Sequence, residues 1–161
     1  MEVKEQLKGV PGMLRPFKEY LVKAGLPEGT QIVYYGCPGT CTPFIELLAF
    51  ATRDLPVEQV FVPFLNEEQA RVITPAAGIG MQIGDRPEAI DPGVVVVMGG
   101  LAMPNVEVSA DETAALLAKY SQAVPVGICF MSMFEKAGWT DKIGFDLLID
   151  ATLDPVTVYS A

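Results

Sequence analysis

The chain has no histidine in any of its 161 residues. That absence removes Ser-His and Cys-His catalytic pairs, imidazole acid–base chemistry and histidine-ligated zinc together. Cations are scarce as well, with 11 Lys and Arg against 20 Asp and Glu, a formal net charge of −9 and a pI near 4.4. A nucleic-acid interface needs Lys and Arg to replace phosphate counterions, so no nucleic-acid partner is expected. Only three cysteines occur, an odd number without paired spacing, which suits a reducing compartment. Long apolar runs are missing too. Val94–Pro104 and Val124–Phe134 are the longest, well below the ~20 residues that span a bilayer. Met1–Lys8 has no apolar signal core. A cytoplasmic protein with no membrane partner is expected.

Half of the residues are hydrophobic and the mean hydropathy is +0.34. A chain of this length makes one domain, residues 1–161, that buries around two-thirds of its unfolded surface. The apolar surplus would also serve a dimer interface, so a homodimer is expected. Residues 1–12 read as weakly structured, ending at Val10-Pro11-Gly12. Leu14, Phe17, Leu21 and Val22 then recur at helical spacing up to Gly25. Strands are expected at about 31–35, 59–64, 94–98, 126–130 and 145–149, with 156–159 as a further one. Asn66 to Ile73 reads as a short helix capped by Asn66, and Ala77–Ile83 as an edge strand weakened by glycines. Ser109–Glu112 and Ser132–Glu135 each have the capping-box pattern. Val94–Met98 is apolar on both faces, as in a parallel strand covered on both sides. The alternation of strands and helices predicts a three-layer α/β sandwich with a mostly parallel central sheet, wound in a flavodoxin-like or Rossmann-like order. Parallel strands bring the turns 37–42, 66–68, 99–103, 129–132 and 150–154 to one sheet edge.

The first of these turns is the richest in chemistry. An apolar strand, Ile32–Tyr35, runs into Gly36-Cys37-Pro38-Gly39-Thr40-Cys41-Thr42-Pro43-Phe44, and an apolar helix leaves it. Thr42 is expected to cap that helix, with Pro43 at its first position. A helix N-terminus gathers free backbone N–H groups and about half a positive charge, which favours anions and thiolates. Three phosphate motifs fail here. A P-loop needs a lysine, the dinucleotide fingerprint a third glycine, and a tyrosine-phosphatase loop an arginine where Pro43 stands after Cys37. Thr40-Cys41-Thr42 resembles the hydroxyl-rich loop that holds the FMN phosphate in flavodoxins, but Pro43, Phe44 and Ile45 replace the glycine and later hydroxyl of that loop.

The remaining groups leave alternatives open. Cys37, Cys41 and Cys129 fit nucleophilic or redox thiols with pKa values lowered by the helix, or a cysteine-ligated metal or iron–sulfur cluster. They equally fit ordinary core packing. Gly99-Gly100 would let a ligand approach the backbone after the all-valine strand, and would equally serve a tight exit. Asp150 is either a general base or a turn residue, and Ser132 lies on the same edge.

The segments Gly36–Phe44, Val94–Pro104 and Gly127–Met131 together resemble a small archaeal family, largely from methanogens, known only as a conserved domain of unknown function. The resemblance covers nearly the whole chain and implies an anaerobic cytoplasmic setting, without an activity or a cofactor to transfer. The leading expectation is a small-molecule-binding protein, with enzymatic activity left open and the cofactor unknown. Gly36, Gly39, Thr40, Cys41, Thr42, Gly99, Gly100 and Ser132 would hold an anionic ligand, with Cys37 as reactive thiol and Asp150 as a separate general-base or metal candidate. The alternatives are a metal centre on Cys37, Cys41 and Cys129, and a non-catalytic dimeric interaction module.

Overall fold

The computed structural model describes residues 2–160. The chain starts with α1 (Gly9–Ala24), whose buried stripe is Met13, Phe17 and Leu21 at four-residue spacing. The helix therefore begins inside the segment 1–12 that was expected to be weakly structured. Pro11 lies in its first turn, where no intrahelical N–H is needed, and Gly25 closes it in the left-handed conformation (φ 60°). Then follow β1 (Thr30–Gly36), α2 (Thr42–Ala51), β2 (Val57–Pro63), β3 (Arg71–Ala76), β4 (Gly80–Ile83) and β5 (Pro92–Met98). The chain continues through α3 (Ala110–Lys119), β6 (Val124–Phe130), a single turn α4 (Met133–Lys136) and β7 (Leu147–Ala151).

Seven strands form one sheet in the order β4-β3-β2-β1-β5-β6-β7. β2, β1, β5, β6 and β7 are parallel, whereas β3 and β4 are antiparallel at one edge. Among the parallel strands alone the order is 2-1-3-4-5, the flavodoxin-like winding of the two that were expected. Neighbouring residues of β1 face opposite layers. Tyr34 looks toward α1, its ring 6.3 Å from that of Phe17, while the Tyr35 hydroxyl reaches Glu67, which also binds Tyr120 just after α3. The helices α1 and α2 pack on each other on the first face, so the sheet is the middle of three layers. Val94–Val97 of β5 have no exposed surface, as their unbroken valine run requires.

Three expected elements take other forms. Asn66 does cap a turn, accepting the Glu68 N–H at 3.1 Å, but only the 3₁₀ turn Glu67–Gln69 forms. Arg71 onward joins β2 as an antiparallel strand that buries Ile73 opposite Gln59. The last strand spans Leu147–Ala151 rather than 145–149, because Phe145 is drawn into an aromatic stack 5.2 Å from Phe134. Residues 156–159 form no strand. The capping box at Ser109 is complete, with Glu112 Oε2 accepting the Ser109 N–H at 2.8 Å. Ser132, in contrast, makes no side-chain cap.

A buried polar cluster ties β1 and β2 to α2. Gln59 accepts from the Tyr34 hydroxyl at 2.8 Å and donates to the Ala49 carbonyl at 2.9 Å. A Gln59→Leu substitution orphans the fully buried Tyr34 hydroxyl, and should lower stability by about 1–3 kcal/mol in urea denaturation. Combining it with Tyr34→Phe should restore part of that loss. A change below about 0.5 kcal/mol for the single variant would contradict this reading of the core.

Candidate functional site

The strand order reverses between β1 and β5. The chain leaves β1 toward β2 through α2, and leaves β5 toward β6 through α3, so the two connections diverge at the carboxyl ends of neighbouring strands. Such a divergence opens the crevice in which doubly wound sheets bind ligands. It falls between the Cys37–Thr42 turn and Gly99-Gly100.

Cys37 directly follows β1 and is buried, whereas Pro38, Gly39 and Thr40 are exposed. The Cys41 N–H donates to the Cys37 carbonyl at 3.0 Å, and Gly39 has a positive φ of 77° that its missing side chain permits. Thr42 does not cap the helix as expected. Cys41 holds the cap position without a side-chain bond. Thr42 is the first helical residue, and its Oγ1 accepts the Gly39 N–H at 2.7 Å. That bond closes the turn and leaves the Thr42 hydroxyl proton free to donate outward.

Gly99 and Gly100 pack against the thiols. A Cβ on Gly100 would overlap Cys41 Sγ and lie 3.6 Å from Cys37 Sγ, and one on Gly99 would lie 2.8 Å from Cys129 Cα. Both thiols lie against Gly100, so the diglycine has this pair on one side and Cys129 on the other. The three cysteines thus surround one dipeptide. Among the described residues no three His, Cys, Asp or Glu side chains gather into a set able to hold a metal ion, which leaves the metal alternative without a geometric donor set.

The thiols do not have the lowered pKa values expected at a helix N-terminus. Burial pushes Cys37 up to about 11, with Cys41 adding to the effect. Burial also pushes Cys129 up to about 12, with nearby Asp150 contributing and the Phe134 and Met133 N–H groups opposing. Cys41 is raised by burial against the lowering influence of hydrogen bonds with the Cys37 and Gly100 backbone. Desolvation exceeds the field of one helix terminus, so all three are neutral thiols at pH 7.

Asp150 and Ser132 do meet. Asp150 Oδ1 accepts the Ser132 N–H at 3.0 Å, which makes Asp150 a partner of the β6 exit and of Cys129 rather than of Cys37. Met131 and Ser132 both adopt left-handed backbone, with φ 56° and 58°. Each such residue costs on the order of 1 kcal/mol or more and is held here by bonds from β7.

A second polar cluster escaped the sequence reading, in which Glu67 is only part of the expected helix Asn66–Ile73. Glu67 accepts from Tyr35 at 3.0 Å, from Tyr120 at 2.8 Å and from Lys119 at 2.6 Å. Its partial burial favours the neutral acid, but these three donors outweigh it and hold the carboxyl below the ordinary glutamate value. The cluster borders an open pocket of about 330 Å³ that Arg86 and Glu88 also line. The available signal was Tyr35 itself, because a tyrosine in a central strand must find its hydroxyl a partner.

Fold and site define a doubly wound, flavodoxin-like α/β protein. The chain belongs to the family described as an uncharacterized protein conserved in archaea (DUF2124), whose model matches residues 8–154. It is 35% identical over 161 residues to an uncharacterized protein of Methanocaldococcus jannaschii, covering 99% of this chain and 94% of that one. An uncharacterized protein of Methanothermobacter thermautotrophicus is 31% identical, with 96% of each chain covered. A crystal structure of a protein of unknown function from Methanothermobacter thermautotrophicus matches with a TM-score of 0.86 at 28% identity, covering 99% of both chains. No helix among the described residues is long and apolar enough to cross a membrane.

Neutral, buried thiols should react slowly. Alkylation of the folded protein at pH 7.5 should run at least ~50-fold slower than that of free cysteine. The rate should rise about tenfold per pH unit up to pH 9.5. Mass-spectrometric peptide labelling checks this, and a rate that levels off near pH 7–8 would show a thiolate where the structure has a thiol.

Proposed function

We propose that this protein binds a small molecule through an anionic group seated at the Cys37–Thr42 turn. The observation that carries the reading is the coincidence of two features at one place: the reversal of strand order between β1 and β5, and the N-terminus of the ten-residue helix α2. The helix brings a partial positive charge to its N-terminus; Pro43 has no N–H and the Phe44 N–H donates to the Cys41 carbonyl at 3.0 Å, so the anion would be held by this charge and the exposed groups of the turn although the chain as a whole is acidic. Thr42 offers its hydroxyl proton and exposed Thr40 a second hydroxyl, while Gly100 packs on the thiols and closes the inner side of the turn. Met131, exposed at the β6 exit, offers an adaptable apolar contact for the rest of the ligand.

The raised thiol pKa values favour binding over nucleophilic catalysis. Attack by Cys37 would first need removal of its proton, and of the carboxylates on this edge Asp150 is engaged at β6 and Glu67 by Tyr35, Lys119 and Tyr120. Cys37 and Cys41 then act as compact packing against Gly100, keeping the turn close to β5.

Two measurements on the intact protein test the reading. Native mass spectrometry after purification without oxygen should show added mass that denaturation removes, or inorganic phosphate should raise the melting temperature. At tenfold excess over its dissociation constant phosphate should add about 1.4 kcal/mol, or roughly 3–6 °C for a chain of this size. Thr40→Ala and Thr42→Ala should each remove most of the shift. Absence of both added mass and any shift, or equal shifts in wild type and variants, would refute the site.

A further inference from the structure

We infer that residues 152–160 form an arm that docks on a second copy of this chain, along the free edge of β4 and the apolar hollow beside it. The arm leaves β7 and forms no helix or strand. Within seven residues it exposes Leu153 by 62%, Val156 by 76%, Val158 by 87% and Tyr159 by 89%. Single exposed apolar residues are ordinary, but such a run marks an interaction segment. Val156-Thr157-Val158-Tyr159 has the alternation and composition of a strand, yet pairs with no strand of its own molecule.

The receptor lies at the opposite corner of the sheet. β4 is the outer strand at that edge, and the side-chain amide of Gln82 covers the Met81 carbonyl at 2.9 Å. Met81 and Ile83 share one face of β4 by the two-residue period. Ile83 and the nearby Ile79 are exposed, as is Phe50 of α2. Phe50, Arg53 and Pro75–Gly80 enclose an open hollow of about 460 Å³. A strand laid on β4 would complete the edge through main-chain hydrogen bonds and place Val156 and Val158 beside Ile83 and Phe50.

Reach and charge identify the occupant. For residues 156–159 to lie on β4, only 152–155 are left as a tether, about 13 Å when extended. Six strand spacings separate β7 from β4, about 29 Å. The arm also leaves the carboxyl edge, whereas the β3–β4 turn lies at the amino edge, since β3 runs antiparallel to β2. The arm therefore misses its own β4 and meets that of another molecule. Arg53 is the one charged residue lining the hollow and makes no ion pair among the described residues. The arm carries Asp154 and, among its described residues, no cation. The charges are complementary, and a second copy supplies both halves of the contact.

Sedimentation velocity of the full chain between about 5 and 100 µM, a range that covers ordinary self-association constants, tests the docking. Wild type should sediment as a dimer. Val156→Asp combined with Val158→Asp should give monomer, and so should Ile79→Asp on its own, each with the circular dichroism of wild type. Mixing a Val156→Cys chain with an Ile83→Cys chain should yield a disulfide-linked pair under mild oxidation. A monomeric wild type would overturn the inference, as would a dimer that survives either the arm or the Ile79 substitution.

Discussion

The contact between Gly100 and the Cys37–Cys41 pair is the constraint on which the carboxyl edge of this sheet depends. It joins the exits of β1 and β5, the two neighbours at which the winding reverses. Sheet pairing alone fixes these strands only as far as their register extends, Tyr35 opposite Val97. Beyond that register, the separation of the two turns is set by how closely their residues approach. A hydrogen atom at Gly100 admits two sulfur atoms, and a hydrogen at Gly99 admits the backbone of Cys129 from the other side. Any larger residue at either position would push one strand exit outward and widen the crevice. Cysteine suits the facing positions because it is small, apolar enough to bury and only weakly in need of a hydrogen-bond partner.

Burial accounts for the thiol chemistry as well. An α-helix N-terminus stabilises a thiolate by its field, but only while the sulfur keeps enough solvation to ionise. Here the packing that holds the two exits together excludes water from the same sulfurs. The closeness of the strands is therefore incompatible with a resting thiolate. The exposed part of the turn, Pro38 to Thr40, lies outside that seal, so the turn shows solvent a hydroxyl and backbone groups rather than sulfur.

Local signals in the chain were legible where local energetics decide the outcome. The valine run of β5, the Ser109–Glu112 box, the glycine-weakened edge strand and the clustering of turns at one edge all follow from periodicity, capping and strand parallelism. The reading failed where tertiary context outweighs local preference. Asn66 with two following acids favours a helical start, yet the apolar residues after Ala70 bury better by pairing with β2, so a hairpin replaces the crossover helix. Thr42 looked like a cap because its neighbours suit one, but Gly39 turns back far enough to take its oxygen. The Glu67 cluster was hidden for a different reason. Its members lie 32 and 53 positions from Glu67, and only the fold brings them together. The same exchange of helix for hairpin leaves loops rather than a helix over part of the Tyr35 face, which is where the pocket beside Glu67 opens.

Everything functional in this account rests on an anion sitting between the β1 and β5 exits. The most direct measurement is an amide chemical-shift map of the isotopically labelled protein during titration with inorganic phosphate. Binding at the crevice predicts concerted, saturable shifts at Gly39, Thr40, Cys41 and Thr42 together with Gly99 and Gly100. Shifts confined to Arg86–Ile90 and Lys119–Tyr120 would place the anion in the pocket beside Glu67 and contradict the account, and so would a map in which nothing saturates.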